Sequence, residues 1–222
     1  MLPDGYILKL IRKYNLRLMY WAVVMVALTV FPVIHQFGKP SNIAEWDYLA
    51  ISAFMMIAFI NMVKVFIWNS KPVLHPLCKY MRRQGDLEEL VTAIDADAFK
   101  AGTSEESQIF VAGSWIVYQG FFKINMIPLS DVVWFYVKAP GRKRHGSGKS
   151  IFIVLTKDGK AHLLKYLEKD QNENPATAVS RQAPWSFAGY SEKTVSRWKT
   201  NRKEMIDAVQ TRIEKQYPTT GK

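Results

Sequence analysis

The glycine-rich segment GSGKS, residues 146–150, is the stretch of this chain that most resembles part of a reactive site. It matches the end of a phosphate-binding loop, in which backbone N–H groups and a lysine hold nucleotide phosphates. The full pattern also needs a glycine at the position of Lys143, and it must open a helix. The residues that follow, IFIVLT, predict a strand instead. We therefore predict no nucleotide partner.

The histidines and the cysteine do not cluster along the chain. Each histidine lacks a carboxylate or cysteine at the spacing of a metal site, and the single cysteine, Cys78, allows no disulfide within the chain. We interpret Cys78 as a buried thiol, with S-palmitoylation as the alternative in a eukaryotic host. We expect no catalytic residues, no metal site and no cofactor, and we predict that the protein is not an enzyme. The histidines are His35, His75, His145 and His162.

A basic loop surrounds the glycine-rich segment. Three glycines in residues 141–148 allow it to move, and no acidic residue interrupts it. Such a loop attracts anionic lipid headgroups by about 1 kcal/mol per basic residue near the surface. Nucleic acid is another natural partner of a chain with a net charge of +11, but no nucleic-acid-binding module is recognisable, so we expect no nucleic-acid partner. The remaining alternative is that the loop is a solvated surface turn without a ligand. The predicted lipid contacts are Lys138, Arg142, Lys143, Arg144 and Lys149.

Two apolar runs, residues 18–34 and 48–68, predict a pair of transmembrane helices. Each is long enough to cross a bilayer at about 1.5 Å per residue. The short connection between them carries only Lys39 as a basic residue, whereas both outer flanks are basic, so both termini are predicted to be cytoplasmic. The flanking basic residues are Lys9, Arg12, Lys13 and Arg17 before the hairpin and Lys71, Lys79, Arg82 and Arg83 after it.

Several features of this hairpin allow two interpretations. The first run is a membrane anchor or a cleaved signal peptide, and the lack of a small-x-small cleavage site favours the anchor. The amphipathic residues before it predict either a separate interfacial helix or an unbroken extension of the first span. Lys64 either snorkels to the headgroups beside Trp68 or serves transport. Asn61, deeper in the second run, is the candidate for a hydrogen bond between helices.

A further helix is predicted to begin at Asp86, before the soluble part of the chain. Asp86 is a good N-cap, and Glu89 three positions later approximates a capping box. Apolar residues at helical spacing follow, and Gly102 ends the pattern. We interpret the acidic face, Glu88, Asp95 and Asp97, as solvated.

From Gln108 onward the apolar period changes to two, which predicts an antiparallel meander of short strands. The Asp158-Gly159 pair is the strongest turn signal and predicts a two-residue hairpin loop. Such a meander forms a sandwich or a partly open barrel. The six predicted strands are residues 109–111, 115–119, 121–127, 131–137, 151–156 and 161–166.

The last part of the chain is predicted to be a loop followed by one long helix. Residues 171–184 are polar and rich in turn formers, which indicates the loop. The helix begins at the N-cap Ser191 and ends before Pro218. Its buried stripe is Val195, Trp198, Met205, Ile206, Val209 and Ile213, and its basic residues are Lys193, Arg197, Lys199, Arg202 and Lys203.

A strand meander closed by one amphipathic C-terminal helix is the pleckstrin-homology (PH) architecture. The segments MIPLSDVVWFYVKAP and IFIVLTKDGKAHLL resemble the bacterial PH-like domains found next to paired transmembrane helices. The resemblance covers residues 108–216 and implies a core role for Trp198 on the closing helix. It also implies binding to lipids, peptides or membrane partners, without catalytic residues.

The predicted fold class is an α+β membrane protein of the bacterial inner membrane. Two transmembrane helices precede an antiparallel PH-like β-barrel or sandwich that a C-terminal helix closes. The predicted divisions are an amphipathic segment (residues 1–17), a transmembrane hairpin (18–68), a juxtamembrane segment with an amphipathic helix (69–104) and a cytoplasmic PH-like domain (105–217).

Three functions fit this organisation. The first, which we prefer, is a membrane-anchored interaction or scaffolding module that presents the basic domain at the cytoplasmic leaflet, to membrane lipids and to a protein partner or further copies of itself. The second is an accessory subunit of a membrane transporter or channel complex, in which the hairpin packs in a larger bundle. The third is an enzyme with an unrecognised site.

Overall fold

The computed structural model describes residues 5–36, 45–100, 108–120, 124–139, 149–168, 171 and 173–217. The chain is a mixed α+β protein that divides into two compact units, Met1–Thr92 and Ala93–Lys222. The predicted α+β class is confirmed.

The first unit is built on two long helices, α1 (Tyr6–Gln36) and α2 (Glu45–Ser70), which pack against each other. Helix α1 is continuous from Tyr6, so the amphipathic N-terminal residues extend the first helix and do not form a separate one. Ile7 and Ile11 on this extension are fully buried. In α2, the stretch Leu49–Ser70 is long and apolar enough to cross a membrane, with a mean hydropathy of 2.1. Among the described residues it is the single stretch that meets both the length and the hydropathy expected of a membrane span.

Two shorter helices follow the hairpin. Helix α3 (Pro76–Arg82), which the sequence did not reveal, begins at the N-cap His75, whose Nδ1 accepts a hydrogen bond from the Leu77 N–H. Helix α4 (Leu87–Lys100) begins after Asp86, as predicted. The Asp86 Oδ1 accepts hydrogen bonds from the N–H groups of Glu88 and Glu89 at 2.9 and 3.0 Å, so the predicted cap is confirmed.

Asp97 of α4 contradicts the prediction of a simply solvated acidic face. Its Oδ2 accepts a hydrogen bond of 2.8 Å from the N–H of Gly113. Gly113 has φ +54°, and a Cβ there would lie 2.7 Å from Ile94 Cγ1 and 2.9 Å from the Ile94 backbone nitrogen. The turn at Gly113 therefore presses directly on α4, and only glycine fits.

The strands of the second unit form two sheets. The first sheet is antiparallel, in the order β1-β2-β3, and the second has the order β6-β5-β4-β7. The described strands form two sheets and no closed barrel. All six predicted strands occur within a few residues of their predicted bounds, although residues 121–123 lie outside the described part. The strands are β1 (Ile109–Ala112), β2 (Trp115–Gln119), β3 (Ile124–Pro128), β4 (Val132–Lys138), β5 (Lys149–Thr156), β6 (Ala161–Leu167) and β7 (Phe187–Ala188).

The turn between β5 and β6 contains Asp158 and Gly159, as predicted, but its loop is longer. Thr156 N donates to Lys160 O at 3.0 Å, which leaves Lys157, Asp158 and Gly159 in the loop. Gly159 has φ +79°, the left-handed conformation that ends a three-residue hairpin loop. The predicted two-residue loop was wrong because an Asp-Gly pair also suits this longer turn.

A polar side chain lies against one edge strand of each sheet. The oxygen and nitrogen of the Gln171 amide are assigned so that both form hydrogen bonds. In this orientation the amide nitrogen donates to Ile109 O at 2.7 Å and the amide oxygen accepts from Gln108 N at 2.9 Å, along the edge of β1. On β6, the backbone of Lys165 lies close enough to the Tyr118 hydroxyl of β2 to act against the larger effect of burial, which raises the pKa of Tyr118. The Gln171 contact occupies backbone groups that an additional strand would need.

The region predicted as a loop at residues 171–184 contains a helix, α5 (Pro175–Gln182). The Asn174 Oδ1 accepts from the Ala176 N–H at 2.9 Å, and Pro175 occupies the first turn, where its missing N–H costs nothing. Buried Ala178 and Val179 fix the helix in the core. The prediction failed because the helix is short and its buried residues are small.

The predicted long C-terminal helix is two helices, α6 (Glu192–Thr200) and α7 (Arg202–Gln216). Asn201 separates the two helices, because its backbone angles, φ −128° and ψ 44°, are not helical. The Thr200 Oγ1 donates to Ser196 O at 3.0 Å, and side chains of this kind compete with the helical backbone bonds. The predicted apolar stripe is nevertheless correct, since all of its residues belong to the core or pack against it.

Candidate functional site

The basic loop joins β4 to β5 at one end of the second sheet. Lys138 ends β4 and pairs with Ile151, while Lys149 begins β5 and pairs with Leu167. Both lysine side chains are exposed, as a lipid contact requires. Arg142, Arg144 and Lys143, the other predicted contacts, lie outside the described residues.

Strand β7 brings a second segment to the same end of the sheet. It runs parallel to β4, with Trp134 opposite Phe187, so the chain leaves β7 in the direction of Lys138. Gly189 anchors this exit, because its N–H donates to Phe135 O at 2.9 Å and its carbonyl accepts from the Trp134 Nε1 at 2.7 Å. The N-terminus of α6 therefore starts near the β4 end that leads into the basic loop.

Tyr190 is the exposed aromatic residue of this surface. Its ring lies 5.3 Å from that of Tyr136 on β4, and it is 62% exposed. Burial, and to a lesser degree Tyr190, raises the pKa of Tyr136, so the hydroxyl stays neutral at physiological pH. A half-exposed tyrosine pair suits an interface where an apolar ring meets polar headgroups. Sequence reasoning missed this pair because the two-residue β7 carries no periodic signal.

The electrostatics of this end are mainly positive. Lys138, Lys149 and Lys193 are exposed and make no ion pair within the part of the chain that the structure describes. Two exposed acids stand nearby in the chain, Glu192 beside Lys193 and Glu168 at the end of β6. The Glu168 Oε1 accepts from the Ser150 Oγ at 2.7 Å. We define Lys138, Lys149, Tyr190 and Lys193 as the basic end of the sheet.

Three arginines of the C-terminal helices are engaged by the fold itself. Arg197 pairs with Glu204, and Arg212 lies 4.6 Å from the Phe187 ring and donates to Trp185 O. Arg202 lies over Trp198 at 5.1 Å. Arg197 and Arg202, which the sequence placed among the basic residues of the last helix, thus contact other side chains of α6 and α7 and remain partly or fully exposed. The exposed lysines beside them are Lys193, Lys199 and Lys203.

Comparison with known proteins identifies the part of the chain that carries this surface. A family model described as a domain of unknown function, DUF6709, matches residues 73–197, more than half of the chain. The chain belongs to this family. No curated protein and no solved structure matches it. The match starts after α2 and ends within α6, so the DUF6709 region includes all four residues of the basic end. The resemblance to PH-like domains stays a prediction.

The start of the DUF6709 region contains a buried histidine. The His75 ring lies edge-on to Tyr14 at 5.7 Å and to Trp68 at 5.0 Å. Burial lowers the pKa of His75 to about 4, so the ring is neutral at pH 7, and because Nδ1 accepts from Leu77 the proton is on Nε2. Asn15 and Asn69 are hydrogen-bonded at 2.9 Å across α1 and α2. These contacts fasten the end of the hairpin to α3 and suggest a structural role for His75.

Cys78 is fully buried in α3 of the DUF6709 region. Burial raises the pKa of its thiol to about 11, although Arg82 acts in the opposite direction. A protonated and inaccessible thiol is a poor nucleophile, which favours the buried thiol over S-palmitoylation.

A metal site needs several ligating side chains close together, and a phosphate-binding loop must lead into a helix. Among the described residues, no group of three or more His, Cys, Asp or Glu side chains is close enough to hold a metal ion. Lys149 and Ser150 lie in β5, so the glycine-rich segment leads into a strand, as predicted, and not into a helix.

Proposed function

We propose that this DUF6709 protein is a membrane-anchored interaction and scaffolding module. In this proposal α1 and α2 form a hairpin in the bacterial inner membrane, with both termini in the cytoplasm, and the α+β unit is presented at the cytoplasmic leaflet. A PH-like identity for that unit is supported by its two sheets, its C-terminal helices and the position of Trp198 in the core.

The observation that carries the proposal is the exposure of α2. Only 11% of its most apolar window is buried. Ile57 is 57% exposed and Phe59 is 68% exposed, and because they are two residues apart they stand on opposite sides of the helix. A core helix of a soluble protein hides such side chains, whereas a helix that is apolar all round and exposed is suited to lipid.

Helix α1 supports a second span. Leu16, Tyr20, Val23 and Leu28 are exposed along it, while Ala22 is buried at the α1–α2 contact with Ala58. Small residues at a helix contact and large apolar residues elsewhere are typical of membrane helix pairs.

Contact with anionic lipid is part of the proposal. The basic end of the sheet offers unpaired lysines and an exposed tyrosine within the described residues, and the predicted loop arginines lie four and six residues after Lys138 in the chain. Screening limits such attraction to about 8 Å at physiological salt, so the domain must lean towards the leaflet for it to act.

The topology is tested with single cysteines and a membrane-impermeant maleimide in intact cells. A cysteine introduced at Ser41 should be labelled from outside, and one at Ser147 only after the membrane is opened. The native Cys78 is buried and provides a low background. Labelling of Ser147→Cys in intact cells, with Ser41→Cys protected, contradicts the proposal.

Lipid contact is tested in liposomes containing the full chain. A fluorophore on Ser147→Cys should be quenched by headgroup-linked quenchers in anionic vesicles, and added salt or replacement of the three loop residues Arg142, Lys143 and Arg144 by Ser should reduce the quenching. The control replaces Lys157 and Lys160, at the opposite end of the sheet, by Ser. Equal quenching with and without the loop charges would show a solvated turn.

A further inference from the structure

A groove of about 110 Å³ runs between α1 and α2, and its lining is almost entirely apolar. Each helix contributes four residues at the i, i+3, i+4, i+7 spacing of one helix face. Ala22 and Ala58 are buried, and the larger side chains around them form the sides of the groove. The lining residues are Leu18, Trp21, Ala22 and Met25 from α1 and Phe54, Ile57, Ala58 and Asn61 from α2.

Three rings stand at one end of this groove. Tyr14 lies four residues before Leu18, and Trp68 lies seven residues after Asn61, so each continues the groove-lining face of its helix. The His75 ring contacts both of them edge-on, at 5.7 Å from Tyr14 and 5.0 Å from Trp68. A molecule that lies in the groove therefore meets a wall of rings at this end.

Two basic residues flank the groove about one turn short of the rings. Arg17 precedes Trp21 by four residues and Lys64 follows Asn61 by three, so each stands on the groove side of its helix. The Lys64 side chain is exposed and the Arg17 side chain is half-buried. The two helices thus bring one positive charge each to the same end of an apolar groove.

The occupant that suits this arrangement is an anionic phospholipid. An acyl chain matches the polarity of the lining, and a phosphate supplies the negative charge that the hairpin lacks, since residues 5–36 and 48–85 contain no aspartate or glutamate. Basic pockets between transmembrane helices on the cytoplasmic side are typical sites for anionic headgroups. Tyrosine and tryptophan, the residues at the closed end, are enriched at the level of the headgroups.

We propose that one acyl chain of an anionic phospholipid lies in the α1–α2 groove, with its phosphate between Arg17 and Lys64. The Arg17 guanidinium can donate two hydrogen bonds to the phosphate, and the Lys64 ammonium adds a second charge. The acyl chain then runs from the rings towards Met25 and Phe54, which is the direction of an ordinary lipid in the cytoplasmic leaflet. The hairpin must lie in the bilayer for this site to exist, so the inference rests on the proposed membrane anchor.

Native mass spectrometry of the full chain in mild detergent tests the headgroup contacts. The wild type should bind one dioleoylphosphatidylglycerol in preference to dioleoylphosphatidylcholine. Replacement of Arg17 and Lys64 by Gln should weaken phosphatidylglycerol binding roughly 30-fold, because each basic residue near a headgroup contributes about fivefold. The matched control replaces Lys9 and Arg12 by Gln, which removes the same charge eight and five residues before Arg17 and should leave the lipid bound.

A second pair of variants tests the groove itself. Leu18→Trp places a larger side chain in the groove and should reduce the binding of both lipids. Leu16→Trp is the matched control, because Leu16 is 65% exposed and, two residues from Leu18, stands on the opposite side of α1. Near-ultraviolet circular dichroism checks that each variant is folded, and the Arg17 and Lys64 variant tests the site without any change in groove volume.

Three results would overturn the site: no preference for phosphatidylglycerol, equal binding by the Arg17/Lys64 and Lys9/Arg12 variants, or a second chain bound in place of the lipid. Replacing loop residues 142–144 by Ser should leave the groove lipid in place, and its loss in that variant would assign the lipid to the loop instead. Alkaline extraction separates this site from the anchor. A chain that is retained in membranes but binds no preferred lipid refutes the groove site alone, and a chain that is released refutes the anchor.

Discussion

Replacement of Trp198 by alanine tests how the C-terminal helices hold the second unit together. Trp198 is 7% exposed, its ring lies 6.4 Å from that of Trp134 on β4, and Arg202 lies over it at 5.1 Å. Removing a buried tryptophan costs about 3 to 5 kcal/mol of unfolding free energy. The cation–π contact with Arg202 contributes about 0.5 to 1 kcal/mol of that loss.

For a unit of this size, such a loss lowers the melting temperature by roughly 10 to 20 °C. The measurement is thermal unfolding of the full chain in detergent, followed by near-ultraviolet circular dichroism. Trp198→Phe keeps an aromatic ring against Trp134 and should lower the midpoint by less than half as much. Tyr190→Ala removes an exposed ring and serves as the control. If Trp198→Ala melts within two or three degrees of the wild type, α6 is not docked on β4 as described.

Two further perturbations test the turns that position the sheets. Hydrogen bonds from Lys160 and Thr156 lower the pKa of Asp158 to about 2, from a usual value of 3.8, so its stabilisation is present above pH 4 and is lost as the pH falls towards 2. Asp158 is about half exposed, and screening limits the effect to below about 1 kcal/mol, which Asp158→Asn should remove from the acid unfolding profile. Asp97→Ala should destabilise the unit by about 1 to 3 kcal/mol in urea unfolding, because it leaves the Gly113 N–H without its acceptor.

The controls for these variants lie on the same elements. Glu88→Ala removes an exposed carboxylate of α4 and should leave the urea midpoint nearly unchanged. An Asp158→Asn chain that loses stability in acid as steeply as the wild type would exclude Asp158 as a contributor. Wild-type stability of Asp97→Ala would show that water replaces the carboxylate at Gly113.

The elements that the sequence predicted correctly are those with a strong local signal. The alternating apolar residues gave six strands, and Asp86 was recognised as a cap because its side chain acts on N–H groups only two and three residues away. The two apolar runs likewise lie in the long helices α1 and α2, and α2 is long and apolar enough to cross a membrane.

The elements that were missed depend on distant contacts. Strand β7 is two residues long and exists because β4 offers it an edge, so no local pattern predicts it. The break at Asn201 preserves the apolar stripe, and periodicity alone does not reveal it. For the candidate site, the sequence indicated Lys138 and Lys149 but not Tyr190, which β7 brings to the same end of the sheet.

The Gln171 amide changes how the edge of β1 can pair. An open strand edge presents a row of backbone donors and acceptors that can recruit a strand from another chain. Here the Gln171 amide occupies backbone groups of Gln108 and Ile109. A strand that joined the sheet at this edge would first have to displace that amide, so the side chain disfavours strand addition at β1.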